Sequence, residues 1–205
     1  MWHFILLPIM SAWVALLEAD TVHVGQWMIS RPILLGPLLG LVCGELAVGV
    51  ALGVLCELLT LEAPPVGAAM PINGAVAVGC AVLMSAGPNA VPPAAALPVG
   101  LGLGAGHRWL ETRVRQWRGS LGLRVLRSLE EEGRVDWEDV LLRGLGPYIA
   151  FTALFVYLSV ALIGPLVTLT WSVAPEFSRG GLEFGFRTAP GIGLAVLTYM
   201  LMRKA

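Results

Sequence analysis

Residues 31–73 read RPILLGPLLGLVCGELAVGVALGVLCELLTLEAPPVGAAMPIN, an almost wholly apolar tract with Glu45 and Glu57 in its interior and a ladder of glycines between them. A carboxylate at membrane depth costs about 2.5 to 3.5 kcal/mol on insertion scales, so it faces a bundle interior or a water-filled cavity rather than lipid. Gly36, Gly40 and Gly44, then Glu45, Gly49, Gly53 and Glu57, form two series of i, i+4 steps, each along one side of a helix. Glycines on such a stripe are first of all packing residues that let a second helix approach closely. Glu57, apolar on both sides, is expected to be functional. Glu45 sits beside a possible break and reads equally well as an interfacial residue.

A single helix over 32–62 would be about 46 Å long, against a hydrocarbon core of about 30 Å, so this stretch must tilt strongly, bend or double back. The break points are Gly44-Glu45 and Ala63-Pro64-Pro65, because glycine tolerates unusual dihedrals and proline removes a helix donor.

The rest of the chain agrees with a membrane setting. Its 205 residues are 57% hydrophobic and 13% charged, with a mean hydropathy of +0.78, whereas soluble domains carry about 25% charge. The expected fold is all-α: a polytopic integral membrane protein with broken or re-entrant helices, forming one membrane domain over 1–205. Apolar segments fall at about 2–17, 32–62, 66–86, 90–106, 147–169 and 188–202. The first lacks a basic n-region and is expected to be a retained membrane segment rather than a signal peptide. Pro71-Ile72-Asn73-Gly74 is another candidate break at membrane depth, where irregular backbone survives only if buried or lining a cavity. Gly87-Pro88-Asn89 and Pro92-Pro93 read better as short surface loops. GLGLGAG at 100–106 lacks the glycine spacing and preceding strand of a dinucleotide loop, and its glycines are expected to permit close helix packing.

Net charge is −1, which gives no case for nucleic-acid binding. Eight of the thirteen basic residues, Arg108, Arg113, Arg115, Arg118, Arg124, Arg127, Arg134 and Arg143, fall in one insert at about 108–143, placing it in the cytoplasm by the positive-inside rule. Within it, Arg127 with Glu131 and Glu130 with Arg134 have i, i+4 spacing, Gly133 offers a stop and Asp136 an N-cap, which predicts two short amphipathic helices on the cytoplasmic surface. Cys43, Cys56 and Cys80 have no metal or redox spacing. His3, His23 and His107 stand alone in sequence and read as plain interfacial or loop histidines. With no nucleophile, base and acid in a usable pattern, no catalytic residue, metal or cofactor is expected.

The ordered set Arg31-Pro32, Gly40, Gly44-Glu45, Gly49, Gly53 and Glu57, followed by Gly67-Ala68-Ala69 and Pro71-Ile72-Asn73, resembles the enzyme IIC component of mannose/fructose/sorbose-type sugar phosphotransferase systems. LEEEGRVDWEDV resembles that family's polar cytoplasmic segment, and APEFSRGGLEFGFRTAPGIGLAV its glycine-rich region before a late membrane helix. The resemblance spans nearly the whole chain and is strongest at 30–77. It implies a permease subunit, itself no phosphocarrier, that binds a hexose together with a IID membrane subunit. Soluble IIA and IIB proteins would relay phosphate from phosphoenolpyruvate. In that reading the chain is an inner-membrane protein embedded in the lipid bilayer as a homo- or hetero-oligomer. Glu57 and Asn73 would hydrogen-bond sugar hydroxyls beside a helix break, while Glu45 and Arg31 shape the break or its mouth. The family's second acidic position in a PPD-like turn is Asn73 here, which donates and accepts but cannot act as a base. The sequence also ends after one late helix where relatives continue. A second reading is therefore a truncated, non-transporting scaffold or sensor that recruits soluble phosphotransferase proteins.

Topology follows from the charge asymmetry. The arginine-rich insert and the Arg203-Lys204 tail are expected in the cytoplasm, with 171–187 outside. Single cysteines at Ser120 and Ser178, in a background free of native cysteines, test this with an impermeant thiol reagent shown to reach the outer face of the membrane. Ser178→Cys should label on intact cells and Ser120→Cys should not; the opposite pattern would invert the orientation.

Overall fold

The computed structural model describes residues 1–21, 25, 27–60, 72–88, 90–132 and 134–204. The expectations resting on His23, Ala63-Pro64-Pro65, Gly67-Ala68-Ala69, Pro71, Asn89 and Gly133 lie outside these residues. Within them the fold is all-α: a π-helical turn at Trp2–Leu6 leads into α1 (Leu7–Glu18), followed by α2 (Pro32–Val42), α3 (Leu46–Thr60), α4 (Gly74–Ala86) and α5 (Pro93–Glu132). Then come α6 (Trp137–Leu158), a π-helical stretch at Ser159–Ile163, α7 (Gly164–Val173) and α8 (Glu176–Lys204).

The opening tract doubles back. Arg31 is the extended N-cap of α2, with φ −63° and ψ 133°, and Pro32 takes the first helical position, where its missing N–H costs nothing. Gly44 turns the chain at φ +80°, a left-handed geometry that glycine adopts freely. The Glu45 N–H donates to the Gly40 carbonyl at 2.7 Å, closing the reversal. At 11 and 15 residues, α2 and α3 span about 16 and 22 Å, so neither alone crosses a core of about 30 Å. The two glycine series face one another across the hairpin. A Cβ added to Gly36 would lie 2.7 Å from the Gly53 Cα, and one added to Gly40 would lie 2.8 Å from the Gly49 Cα. Backbone meets backbone here, as small residues in membrane helices permit.

Helix α4 is the hub. Every residue from Ala75 to Met84 is buried, as expected of a helix apolar on all sides. On one side Val14 of α1 presses against Gly79, whose Cβ would lie 2.8 Å from Val14 Cγ1. On another, Gly100 and Gly104 bring α5 so close that their Cβ atoms would lie 2.9 Å from those of Ala81 and Ala77. Half of the GLGLGAG run thus serves the close packing expected of it; Gly102 and Gly106 face nothing within 4 Å.

Three expectations need correcting. The insert is no pair of short surface helices, because α5 continues unbroken for 40 residues, or about 60 Å. After Gly106 the sequence is rich in Arg, Leu and Glu and free of proline until beyond Glu132, so nothing stops the helix. The i, i+4 ion pairs of this stretch among the described residues are Glu111–Arg115 and Asp139–Arg143 rather than those of Arg127 and Arg134. Asp136 does cap α6, accepting from the N–H groups of Glu138 and Asp139 at 3.2 and 3.3 Å. Finally, α8 begins at Glu176 instead of 188, and the reversal before it is confined to Ala174-Pro175.

Among the described residues Trp137–Val173 is the one helix long and apolar enough to cross a membrane unaided, and Trp2–Glu18, Pro32–Val42, Leu46–Thr60 and Gly74–Ala86 are shorter apolar helices. The π-helical stretch inside the long span precedes Pro165, whose missing donor explains the local register change. Leu154, Leu158, Leu162, Leu166 and Leu169 stand exposed on this span at helical spacing, a stripe suited to lipid rather than water.

The hairpin contact yields a stability prediction. Gly49→Ala must push two backbones apart and should lower stability by about 1–3 kcal/mol, the usual range for overpacking. Gly102→Ala should leave it unchanged or slightly raised, since Ala is the better helix former. Thermal unfolding of both variants in one detergent checks the contrast.

Candidate functional site

Asn73 is the N-cap of α4, with φ −74° and ψ 98°, and its Oδ1 accepts from the Val76 N–H at 3.0 Å. That commitment aims the amide nitrogen at two other elements. Nδ2 donates to Glu18 Oε1 at 2.8 Å, and lies 3.3 Å from His107 Nδ1. The Tyr148 hydroxyl donates to the same Glu18 oxygen at 2.5 Å. His107 Nε2 lies 3.1 Å from Thr152 Oγ1, and its ring meets Phe155 edge-on at 5.3 Å. One proton arrangement satisfies this chain: Nδ1 accepts from Asn73, so Nε2 carries the hydrogen and donates to Thr152.

Each position has a local cause. Glu18 ends α1 on the face that buries Ser11 and Val14. His107 follows the glycines that press α5 onto the start of α4, where the Asn73 N–H also donates to the Gly104 carbonyl at 3.2 Å. Tyr148 and Thr152 are four residues apart and share one face of α6. Glu18, His107, Tyr148 and Thr152 are all at most 3% exposed. The result is a polar cluster drawn from four helices inside an apolar bundle.

Glu57 and Arg31 form a second polar pair. Arg31 Nη2 is ion-paired with Glu57 Oε1, while Glu57 Oε2 accepts from the Ile33 N–H at 3.4 Å in the first turn of α2. The carboxylate at the end of α3 therefore serves as a remote cap for α2, where a negative charge is favoured. Glu57 is buried and the Arg31 side chain is 50% exposed. Asp20 braces the approach by accepting from the N–H groups of Trp27 and Ile29 at 2.8 and 2.9 Å.

The two groups flank one point. Gly74, directly after Asn73, sits where a Cβ would lie 2.8 Å from Pro32 Cγ and 3.2 Å from Thr60 Oγ1. The starts of α2 and α4 and the end of α3 thus converge between Asn73 and the Arg31–Glu57 pair. Glu45 is not brought there: it is exposed at the hairpin turn, about 18 Å along α3 from Glu57. Among the described residues no group of three or more His, Cys, Asp or Glu side chains is placed to hold a metal ion.

Of the residues singled out from sequence, Asn73 lies in the buried cluster and Glu57 and Arg31 form the pair beside it; Glu18, Tyr148 and Thr152 are not among them, and His107, expected as an interfacial or loop histidine, is fully buried. For Glu18 a signal existed. Ser11, Val14 and Glu18 lie on one helical face at i, i+3 and i+7, so an acid at the end of the apolar run shares its inward side. For His107 the partners are 34 and 45 residues away, beyond any local pattern.

The ion pair can be tested by a double-mutant cycle. Glu57→Gln and Arg31→Gln should each destabilise the protein, and the double variant should fall short of additivity by about 0.5–3 kcal/mol, the range for residues in contact. Strict additivity in thermal unfolding would mean that the two do not interact.

The whole chain, residues 1–205, matches the family described as "PTS system sorbose-specific iic component". A solved structure described as "Structure of membrane protein" superposes with a TM-score of 0.63 at 17% identity, covering 98% of this chain and 80% of that one. At that identity the likeness shows the fold, an all-helical membrane architecture. No curated protein matches. With every residue inside the family's span, the chain belongs to the sorbose-specific IIC family, the inner-membrane component of a sugar phosphotransferase system.

Proposed function

We propose that this chain is the sugar-binding and translocating subunit of a phosphoenolpyruvate-dependent phosphotransferase complex of the mannose/fructose/sorbose type, and that a hexose binds at the cluster around Asn73. The observation that carries this reading is the convergence of Glu18, Asn73, His107, Tyr148 and Thr152, from four helices, at the start of the central helix. Transporters place substrates where helix ends meet inside the membrane bundle. The chemistry suits a neutral polyol. A carboxylate accepts hydrogen bonds from adjacent hydroxyls, an amide and an imidazole each donate and accept, and no net charge on the ligand has to be balanced.

Asn73 holds the central position, with Glu18 and His107 on either side of its amide. Arg31 and Glu57 flank the site at a half-exposed mouth, their pairing fixing the start of α2 beside it. Glu45 shapes the far turn of the hairpin. A IID subunit completes the membrane assembly, which is homo- or hetero-oligomeric, and soluble IIA and IIB proteins deliver the phosphate that traps the sugar in the cytoplasm. This chain contributes no phosphorylated residue. In this reading it crosses the inner membrane several times, with the 108–143 insert and the C-terminus in the cytoplasm.

Uptake of radiolabelled mannose, fructose and sorbose by cells carrying the partner subunits tests the assignment. Glu18→Gln, Asn73→Ala and Glu57→Ala should each reduce uptake of the transported sugar about tenfold or more at equal membrane abundance, matching loss of a hydrogen bond to a charged group. Undiminished uptake in Asn73→Ala would sink the site; undiminished uptake in Glu57→Ala alone would remove the flanking pair from it.

A further inference from the structure

We infer that Arg118, on the arginine-rich extension of α5, is a positioning residue for the sugar site and acts through Tyr148. The inference rests on the reading that the sugar binds at the Glu18–Asn73 cluster. The Arg118 guanidinium lies over the face of the Tyr148 ring, 5.2 Å from its centroid, within the range of a cation–π interaction. The same ring carries the hydroxyl that donates to Glu18 Oε1 at 2.5 Å, and that oxygen also accepts from Asn73 Nδ2 at 2.8 Å. An unbroken chain of contacts thus runs from a half-buried arginine of the insert to the amide at the centre of the cluster.

Tyr148 is buried, so its ring is packed by its neighbours as well as anchored by its hydroxyl. The guanidinium against its face adds to that hold and biases the direction from which the hydroxyl meets Glu18. One turn along α6, Thr152 reaches His107, so the Tyr148 face of this helix grips the cluster from both sides of Asn73. Glu111, also on α5, is engaged by Arg115 at 2.8 Å. Because Arg118 belongs to the insert proposed to lie in the cytoplasm, any event there that draws the guanidinium off the ring loosens Glu18. The Arg118 side chain thus gives the insert a contact path to the sugar site, beside the one that α5 itself provides through His107.

Uptake kinetics of the transported radiolabelled hexose, in cells carrying the partner subunits, test this. Arg118→Gln should raise KM about three- to tenfold, the size of an ordinary cation–π contact, with maximal velocity within about twofold. Arg118→Lys, which keeps a cation over the ring, should restore most of the affinity. In a Tyr148→Phe background, where no hydroxyl reaches Glu18, Arg118→Gln should have no further effect on KM. An unchanged KM in Arg118→Gln, or an equal rise in both backgrounds, overturns the inference. If Asn73→Ala raises KM while Arg118→Gln does not, the coupling alone is wrong; if neither does, the site reading itself fails. Nuclear magnetic resonance of labelled histidine in the purified full chain gives a readout independent of transport. The His107 ring signals, assigned with His107→Gln, should move in Arg118→Gln and return in Arg118→Lys, and signals that stay fixed would overturn the coupling as well.

Discussion

Asn73 is committed in two directions at once, and much of the architecture depends on that. Its side-chain oxygen starts α4 by capping Val76, and its side-chain nitrogen ties Glu18 of α1 to His107 of α5. A helix beginning inside an apolar bundle leaves backbone donors without water to satisfy them, so a cap there is obligatory. Asparagine supplies the acceptor for the cap and two further donor hydrogens with one side chain. An aspartate could cap α4, but when ionised it could not also donate to Glu18. The Asn at this position therefore suits a neighbouring carboxylate.

The glycine contact between α2 and α3 makes this arrangement possible. With backbones touching at Gly36–Gly53 and Gly40–Gly49, the hairpin is thin enough for the end of α3 to reach the start of α2, where Glu57 meets Arg31 and the Ile33 N–H. Pro32 then packs on Gly74. Larger residues along either stripe would move the start of α2 away from the start of α4 and with it separate the two polar groups. The glycines are packing residues in the strict sense, yet their effect is to set the distance between the two polar groups.

What could be read from sequence follows the range of each interaction. The all-α membrane class, the reversal at Gly44, the facing glycine series and the Asp136 cap are all encoded within a few residues, by composition, periodicity or one special dihedral. The length of α5 is less legible, because its charges and i, i+4 spacings suit short surface helices, yet nothing in 107–132 breaks a helix. The Arg31–Glu57 pair joins residues 26 apart, and the cluster at Asn73 joins residues as far as 130 apart, Tyr148 and Glu18. Such partners are fixed by which helix faces meet, and that depends on the whole bundle. His107 is the clearest case: isolated in sequence, it becomes central only because Gly100 and Gly104 press α5 against α4.

Glu18 and Glu57, the carboxylates of the two polar groups, differ in their partners. Glu57 faces a guanidinium, and a ligand entering between them would have to part an ion pair and leave a charge without its partner, which is costly away from water. Glu18 meets the amide of Asn73 and the hydroxyl of Tyr148, both neutral donors. A sugar hydroxyl is a neutral donor too, so it can take the place of either without changing the charge of the site. On the proposed reading, exchange of like for like lets a hexose bind and leave at modest cost, which conduction through a site requires. On the same reading Glu57 holds the frame beside it, and Glu18 is the acid proposed to meet the sugar.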